Sequence, residues 1–340
     1  MLLLPAGAEA AGKRLVGVNS IPTPTQAQLN RMAAAGTHTC RVHFNWRLIE
    51  GAPGVRDWAR IDALVADAAR AGVKLLPFIL ESPSWVSPDP AAPPIYSSGA
   101  RSAWSSFVAA LGARYGANGS FWRLNPGLPR SPIGAYQIWN EVNLRQFWGS
   151  RPSPRGYAQL VKLASKALRS TDPTADVVLA GLLPFKSIGV TSVSGHKFLR
   201  RLFRVKGMRK HADKVAIHPY ATHPRLVLRN LRRARKTLSK ARVKKPIWVT
   251  EFGWSTGGEL WNVSPVRATP TQQAAWVSKS YRLMRKASKR LRLQRALYFN
   301  FTDFDNPGTD YWDARMGLFD LNGRPKPAWF SYARRAGGSP

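Results

Sequence analysis

The chain has 340 residues, 44% of them hydrophobic and 13 of them Trp, which fits a globular protein able to bury a large core. Its one cysteine, Cys40, excludes an internal disulfide, and the six His show no Cys/His spacing of a zinc site. The formal net charge of +34 points toward anionic polymers as partners, and no apolar run approaches the roughly 20 residues needed to cross a bilayer, so the chain reads as soluble.

In chain order, Met1 to Ala11 resembles the tail of a secretory signal with a small-residue Ala8-Glu9-Ala10 cleavage site, or equally a flexible terminus. On the first reading the protein is secreted or held at the cell envelope; on the second it is cytoplasmic. Residues 12–335 then read as one domain. Eight short apolar runs are predicted strands: Leu15–Val18, Thr39–Phe44, Val73–Leu80, Ile133–Ile138, Val177–Ala180, Val215–Ile217, Ile247–Val249 and Ala296–Phe301. Between them, Thr25–Ala35, Ala59–Ala71, Arg101–Tyr115, Pro154–Ser170, His196–Val205, Pro224–Ala241 and Thr271–Leu291 have the lengths of amphipathic helices. Thr271-Gln272-Gln273 after Pro270 is a helix-start signal. Strand–helix alternation predicts a parallel sheet, and eight repeats predict closure into an α/β fold, a single-domain (β/α)8 TIM barrel. Cys40 falls within the second strand and is expected to be a small buried residue.

Positive charge is concentrated. Lys197 to Lys245 carries 18 Lys/Arg against a single acid, Asp213. Apolar residues at helical spacing from Leu226 to Leu238 put these charges on a helix's outer face. A solvated face is the plainer reading, and an anionic glycan or cell-envelope polymer is the partner such a field would suit. No recognised nucleic-acid module accompanies the charge, which argues against DNA or RNA.

The strongest chemical signal is a pair of glutamates 110 positions apart, Glu141 in Trp139-Asn140-Glu141-Val142-Asn143 and Glu251 in Thr250-Glu251-Phe252-Gly253-Trp254. Each follows a predicted strand, the fourth and the seventh, so both carboxylates project over the barrel mouth. Cleavage of a glycosidic bond needs two carboxylates, one to move a proton and one to attack carbon or activate water. Spacing along the chain gives no distance, so both stereochemical outcomes stay open. The nucleophile should be held ionised at low pKa, its charge raising that of its partner. Arg41, near the end of the second strand, is costly among apolar neighbours unless a carboxylate pairs with it. His218 and Tyr220 follow the sixth strand, where a hydroxyl could steady Glu251, and Asn140 could hydrogen-bond a sugar hydroxyl. Two loops on the same face, Glu81–Gly99 with Trp85 and Tyr96, and Thr302–Lys326 with Asp303, Asp305, Tyr311, Trp312 and Asp313, either wall a cleft or merely cover it.

Taken in this order, Arg after strand two, Asn-Glu after four, His-x-Tyr after six and Glu after seven, the chain resembles the clan of retaining (β/α)8 glycoside hydrolases. Trp139-Asn140-Glu141, His218-Pro219-Tyr220 and Thr250-Glu251-Phe252-Gly253-Trp254 look most like families 5 and 39, the cellulase-like and β-xylosidase-like enzymes. The resemblance covers Leu15 to Tyr332. It implies Glu141 as acid/base, Glu251 as nucleophile, Asn140 as partner of the substrate 2-hydroxyl, Arg41 and Tyr220 as supports of the nucleophile, and His218 as a site residue. Two positions depart from the pattern: Val142 stands where these enzymes often have Pro, and strand eight lacks their sugar-platform Trp, Phe301 being the nearest aromatic. The expectation is a retaining β-glycosidase of the kind that hydrolyses O-glycosyl bonds of an oligo- or polysaccharide, with no metal or organic cofactor. Trp85, Trp254, Phe301 and Asp303 are candidate subsite residues, Trp254 alternatively packing behind its strand. The rivals are a transglycosylase using the same carboxylates and a non-catalytic barrel that binds anionic glycan.

Overall fold

A computed structural model describes residues 15–184, 189–258, 266–305 and 313–340. The expected signal remnant, Met1 to Ala11, lies outside these residues, as do Tyr311 and Trp312. One parallel sheet contains β1 (Val16–Ser20), β2 (Thr39–Asn45), β3 (Lys74–Leu80), β4 (Ala135–Ile138), β5 (Asp176–Leu179), β6 (Val215–Ile217), β7 (Ile247–Val249) and β8 (Leu293–Tyr298). Their order is β5-β4-β3-β2-β1-β8-β7-β6. The circle closes between β5 and β6 through isolated parallel bridges, Val178 with Lys214 and Leu182 with Ile217. The seven expected helices form, and an eighth, Pro327–Ala336, follows β8, which completes a (β/α)8 barrel. Among the described residues, no helix is long and apolar enough to cross a membrane.

Most boundaries fall within two or three residues of expectation. The helix expected to begin at Thr271 starts at Pro270, with Thr269 as N-cap: Gln272 N–H donates to Thr269 Oγ1, and Thr269 N–H donates to Gln272 Oε1. The larger shift is in β8, which runs Leu293–Tyr298 rather than Ala296–Phe301. Gln294 and Arg295 mask the strand's start, and the apolar Phe299 to Phe301 belong to the segment beyond its end.

Side chains alternate inward and outward along each strand, and the inward set forms two chemically distinct layers. The lower is an apolar plug of Leu76, Ala135, Val178, Ala216, Trp248 and Leu297, one from each of β3 to β8. Gly17 makes room for it: a Cβ there would stand 2.1 Å from Leu297 Cδ2. Two residues further along their strands, or just past the ends, stand Asn19, Phe78, Gln137, His218 and Thr250, with Arg41 beside Asn19 in the β1–β2 register. All of these but Phe78 are polar, all are buried, and together they form the floor of the barrel mouth. Cys40, on the outward face of β2, is buried as expected.

Candidate active site

Arg41 is the centre of the floor. Its Nε donates to Gln137 Oε1 at 2.6 Å, its Nη1 to Asn19 Oδ1 at 2.8 Å and Glu251 Oε1 at 2.6 Å, and its Nη2 to Asn140 Oδ1 at 2.8 Å. The guanidinium also lies 3.9 Å from the Phe78 ring centroid. A fully buried cation is tolerable only with such a complete set of acceptors. The carboxylate expected opposite Arg41 is therefore Glu251, and Tyr220 Oη donates to the other oxygen, Oε2, at 3.0 Å.

Glu141 faces a different partner. His218 Nδ1 lies 2.6 Å from Glu141 Oε1, and His218 Nε2 lies 2.9 Å from Thr250 Oγ1. Burial, and then the charge of Arg41, hold the imidazole well below its ordinary pKa, so it is neutral at pH 7. The surrounding bonds select its tautomer. Because Arg41 takes the Gln137 oxygen, Gln137 presents its NH2 to Thr250 Oγ1 at 3.3 Å. The Thr250 hydroxyl gives its proton to Nε2, which leaves the imidazole proton on Nδ1, aimed at Glu141.

The two carboxylates differ electrostatically in a way their partners explain. Burial raises Glu141 well above the ordinary carboxylate value; the charge of Glu251 adds to this, Arg41 opposes it, and Asp313 adds again. Burial raises Glu251 as well, but there Arg41 and the Tyr220 hydroxyl pull back. The expectation that Glu251 would titrate low is thus corrected. Desolvation outweighs its cationic partner, and Glu251 is the more easily ionised member of a pair that is raised as a whole.

The loops that carry the glutamates are held from behind. Trp139 and Glu141 both adopt positive φ, 67° and 38°, conformations that cost energy in residues other than glycine. Around them, Tyr157 Oη donates to Ile138 O at 2.8 Å and accepts from Ala180 N–H at 2.6 Å, tying the ends of β4 and β5. The Asn143 side chain bonds Leu183 and Val193, stitching the loop after β4 to the loop after β5. Gly181 gives His218 its place, since a Cβ there would meet Nε2 at 1.9 Å.

The other candidates have contacts of their own. Phe301 is buried between Phe319 and Trp329, at ring distances of 4.9 and 5.9 Å. Phe299, nearer the end of β8, is also buried and stands edge-on to Phe304 at 6.5 Å. Trp254 packs behind the loop that carries Glu251, against Trp276, its Nε1–H donating to Ala221 O at 2.9 Å. Trp85 is half-buried, set edge-on to Trp46 and bonded to Glu50 O. Asp303 is held by Lys326 Nζ and Gly317 N–H, each at 2.7 Å, which makes it a clamp for its own loop. Asn19, Gln137, Thr250 and His43 were missed from sequence. His43 stacks on Phe78 at 4.7 Å, its Nε2 is sealed without a partner, and burial lowers its pKa to about 4. A lone polar residue at an inward position of an apolar strand was the available signal. Asp313, whose field reaches both glutamates, also keeps a buried Oδ1 unpartnered.

Glu141, His218 and Glu251 offer ligand atoms within 4.8 Å of one another, a set that could chelate a divalent cation. Both Glu251 oxygens are already engaged, one by a buried guanidinium. A metal would have to displace or neighbour that cation, so these residues fit a metal poorly.

No protein-family model matches the chain. No curated protein matches it either. Among solved structures it resembles a family 39 glycoside hydrolase from the gut symbiont Bacteroides cellulosilyticus WH2, with TM-score 0.68 and 18% identity over 96% of this chain and 64% of that one. It also resembles the exo-β-1,4-mannosidase Op5Man5 from Opitutaceae bacterium strain TAV5, with TM-score 0.67 and 18% identity over 95% of this chain and 59% of that one. A third is GH5_18 from Streptomyces cattleya in complex with GlcNAc, with TM-score 0.67 and 15% identity over 94% of this chain and 79% of that one. The chain spans less than two thirds of the length of the first two. At these identities the likeness establishes the fold, and the first and third of these structures carry the names of the two families that the strand-end motifs resemble.

Proposed function

We propose that the protein is a glycoside hydrolase that cleaves β-linked sugars by double displacement, with Glu251 as nucleophile and Glu141 as acid/base. The observation that carries this reading is the proximity of two differently supported carboxylates. Oxygens of Glu141 and Glu251 lie within 4.8 Å of each other. An approach of this size is compatible with the roughly 5–5.5 Å between carboxyl groups that suits a covalent glycosyl intermediate.

The partners support these roles. Glu251, bound by Arg41 and Tyr220, ionises first and attacks the anomeric carbon. Glu141 holds its proton to higher pH and delivers it to the departing oxygen. His218 Nδ1–H occupies Glu141 Oε1, so the transferable proton resides on Oε2. In the second step the same Nδ1–H stabilises the ionised Glu141 while it takes a proton from water. Arg41 on Asn140 Oδ1 turns the amide NH2 away from the guanidinium, which leaves a donor for a sugar hydroxyl. The mannosidase and the GlcNAc complex among the similar structures support a carbohydrate substrate, and the sugar is a matter for a screen of aryl β-glycosides.

A 2-fluoro sugar with a good leaving group tests the assignment. The expected result is a stoichiometric covalent label on the peptide containing Glu251, with the β-anomer as first product by NMR. An α-anomer as first product, or a label on any other residue, overturns it.

A further inference from the structure

The outer wall of the barrel carries a feature that the mouth does not use. Helices Gly195–Leu202 and Pro224–Lys240 flank a groove of about 940 Å³. Eight of its thirteen lining residues are Lys or Arg, among them Arg200, Arg204, Arg209, Arg233, Lys236 and Arg242. Arg204 also lines a second groove of about 800 Å³ on the far side of the shorter helix, with Arg151, Arg155, Arg201 and Lys206. The two grooves therefore form one band. Among the described residues no carboxylate lines either groove. The one acid of the segment, Asp213, is already paired with Arg169 at 3.0 Å and Lys245 at 3.8 Å.

The longer helix gains nothing from carrying so much like charge. The helix Pro224–Lys240 is anchored by Val227, Leu228, Leu231, Ala234 and Leu238, which are buried. Its outer face needs only to be polar, and mixed charges at i,i+4 would stabilise it. Instead Arg225 and Arg229, Arg229 and Arg233, Arg232 and Lys236, and Lys236 and Lys240 all stand at i,i+4 with like charge, each pair destabilising.

The geometry points to a binding site for an anionic glycan strand, a flexible polymer carrying carboxylate or sulfate groups along its length, laid in this groove away from the barrel mouth. A small anion calls for a few donors converging on one point, whereas these cations are spread along a band. Single-stranded nucleic acid calls for exposed aromatic rings on which bases stack, and the only aromatic in either lining, apart from His196, is Phe203, which is buried. A membrane surface is flat and is usually met by apolar side chains as well as charge, whereas this site is concave and the apolar face of its helix is spent on the core. The site stands whether or not the mouth is catalytic.

The test uses the full chain and end-labelled polygalacturonate and heparin, with neutral dextran, duplex DNA and phosphatidylglycerol vesicles as comparators. One variant carries Arg200→Gln, Arg204→Gln, Arg233→Gln and Lys236→Gln, all exposed positions. A control removes the same charge from another helix, through Arg282→Gln, Lys286→Gln, Lys289→Gln and Arg290→Gln. Wild-type affinity for the acidic glycans should fall on the order of 10³-fold between 50 and 200 mM NaCl, and that of the groove variant only about 20-fold, as expected for four fewer ion contacts at the slope of a flexible single strand. The control should bind like wild type, and both variants should retain wild-type turnover of a small aryl glycoside and wild-type thermal unfolding. The proposal fails if the control loses as much affinity as the groove variant, if no anionic glycan binds, or if the groove substitutions weaken binding only to DNA or to vesicles.

Discussion

Arg41 Nη1 and Glu251 Oε1 meet at 2.6 Å in a site where the arginine is wholly buried and the carboxylate nearly so. A pair of this kind is expensive to assemble and more expensive to halve. Arg41→Met leaves Glu251 buried beside Tyr220 without its cation. Urea denaturation should register a loss of about 3–5 kcal/mol, and turnover should fall by at least ~10²-fold, the scale of losing one preorganised electrostatic partner.

Glu141 sets the sign of a stability effect. Its folded-state pKa stands above the ordinary 4.5, because burial disfavours the anion. Below 4.5 the folded and unfolded states both hold the proton and no stability is lost; as pH rises through the raised value, the native state must ionise a buried group. Glu141→Gln should therefore abolish turnover of unactivated substrates yet raise the melting temperature at pH 8, with no gain at pH 4. The gain amounts to about 1.4 kcal/mol for each unit by which the folded pKa is raised.

Asp313 supplies negative potential to both glutamates, raising each. Asp313→Asn should move both limbs of the pH profile of kcat/KM toward acid, the alkaline limb through Glu141 and the acid limb through Glu251. A profile that loses height without moving would remove Asp313 from the electrostatics of the site.

Gly181 touches no substrate in the proposed cycle, yet its missing side chain makes room for His218. Gly181→Ala should displace the imidazole and lower kcat by ~10²-fold, with a stability cost of about 1–3 kcal/mol from overpacking. KM should change little, because the loss falls on proton transfer.

Asp303 behaves as a clamp. Asp303→Asn weakens its bond to Lys326 and should cost about 1–3 kcal/mol of stability, with kcat and KM unchanged for small substrates. A large rise in KM would return Asp303 to the subsites.

The barrel was legible because its strands are short, apolar and evenly spaced, and because glutamates at the ends of two of them have little reason to be there structurally. What sequence hid was the inward register. Asn19, Gln137 and Thr250 each sit among apolar residues and look incidental until strand alternation places them beside Arg41 and His218. Phe301 looked like a platform because β8 was read three residues late. Gln294 and Arg295 broke its apolar run, and the strand ends at Tyr298, three residues before Phe301. The pKa order of the glutamates was anticipated from their partners, but the upward shift of Glu251 follows from burial, which depends on the folded packing.

The barrel is unevenly sewn. Between β5 and β6 only a few amide bonds cross, including Leu179 N–H to Lys214 O and His218 N–H to Leu182 O, where most other neighbours share ladders of three to seven residue pairs. The contact from His218 to Glu141 spans this gap from β6 to β4. Gentle warming should open the wall there first, so that hydrolysis fades while far-ultraviolet ellipticity still reports an intact barrel, and amide deuteration should advance earliest along Val177 to Leu182.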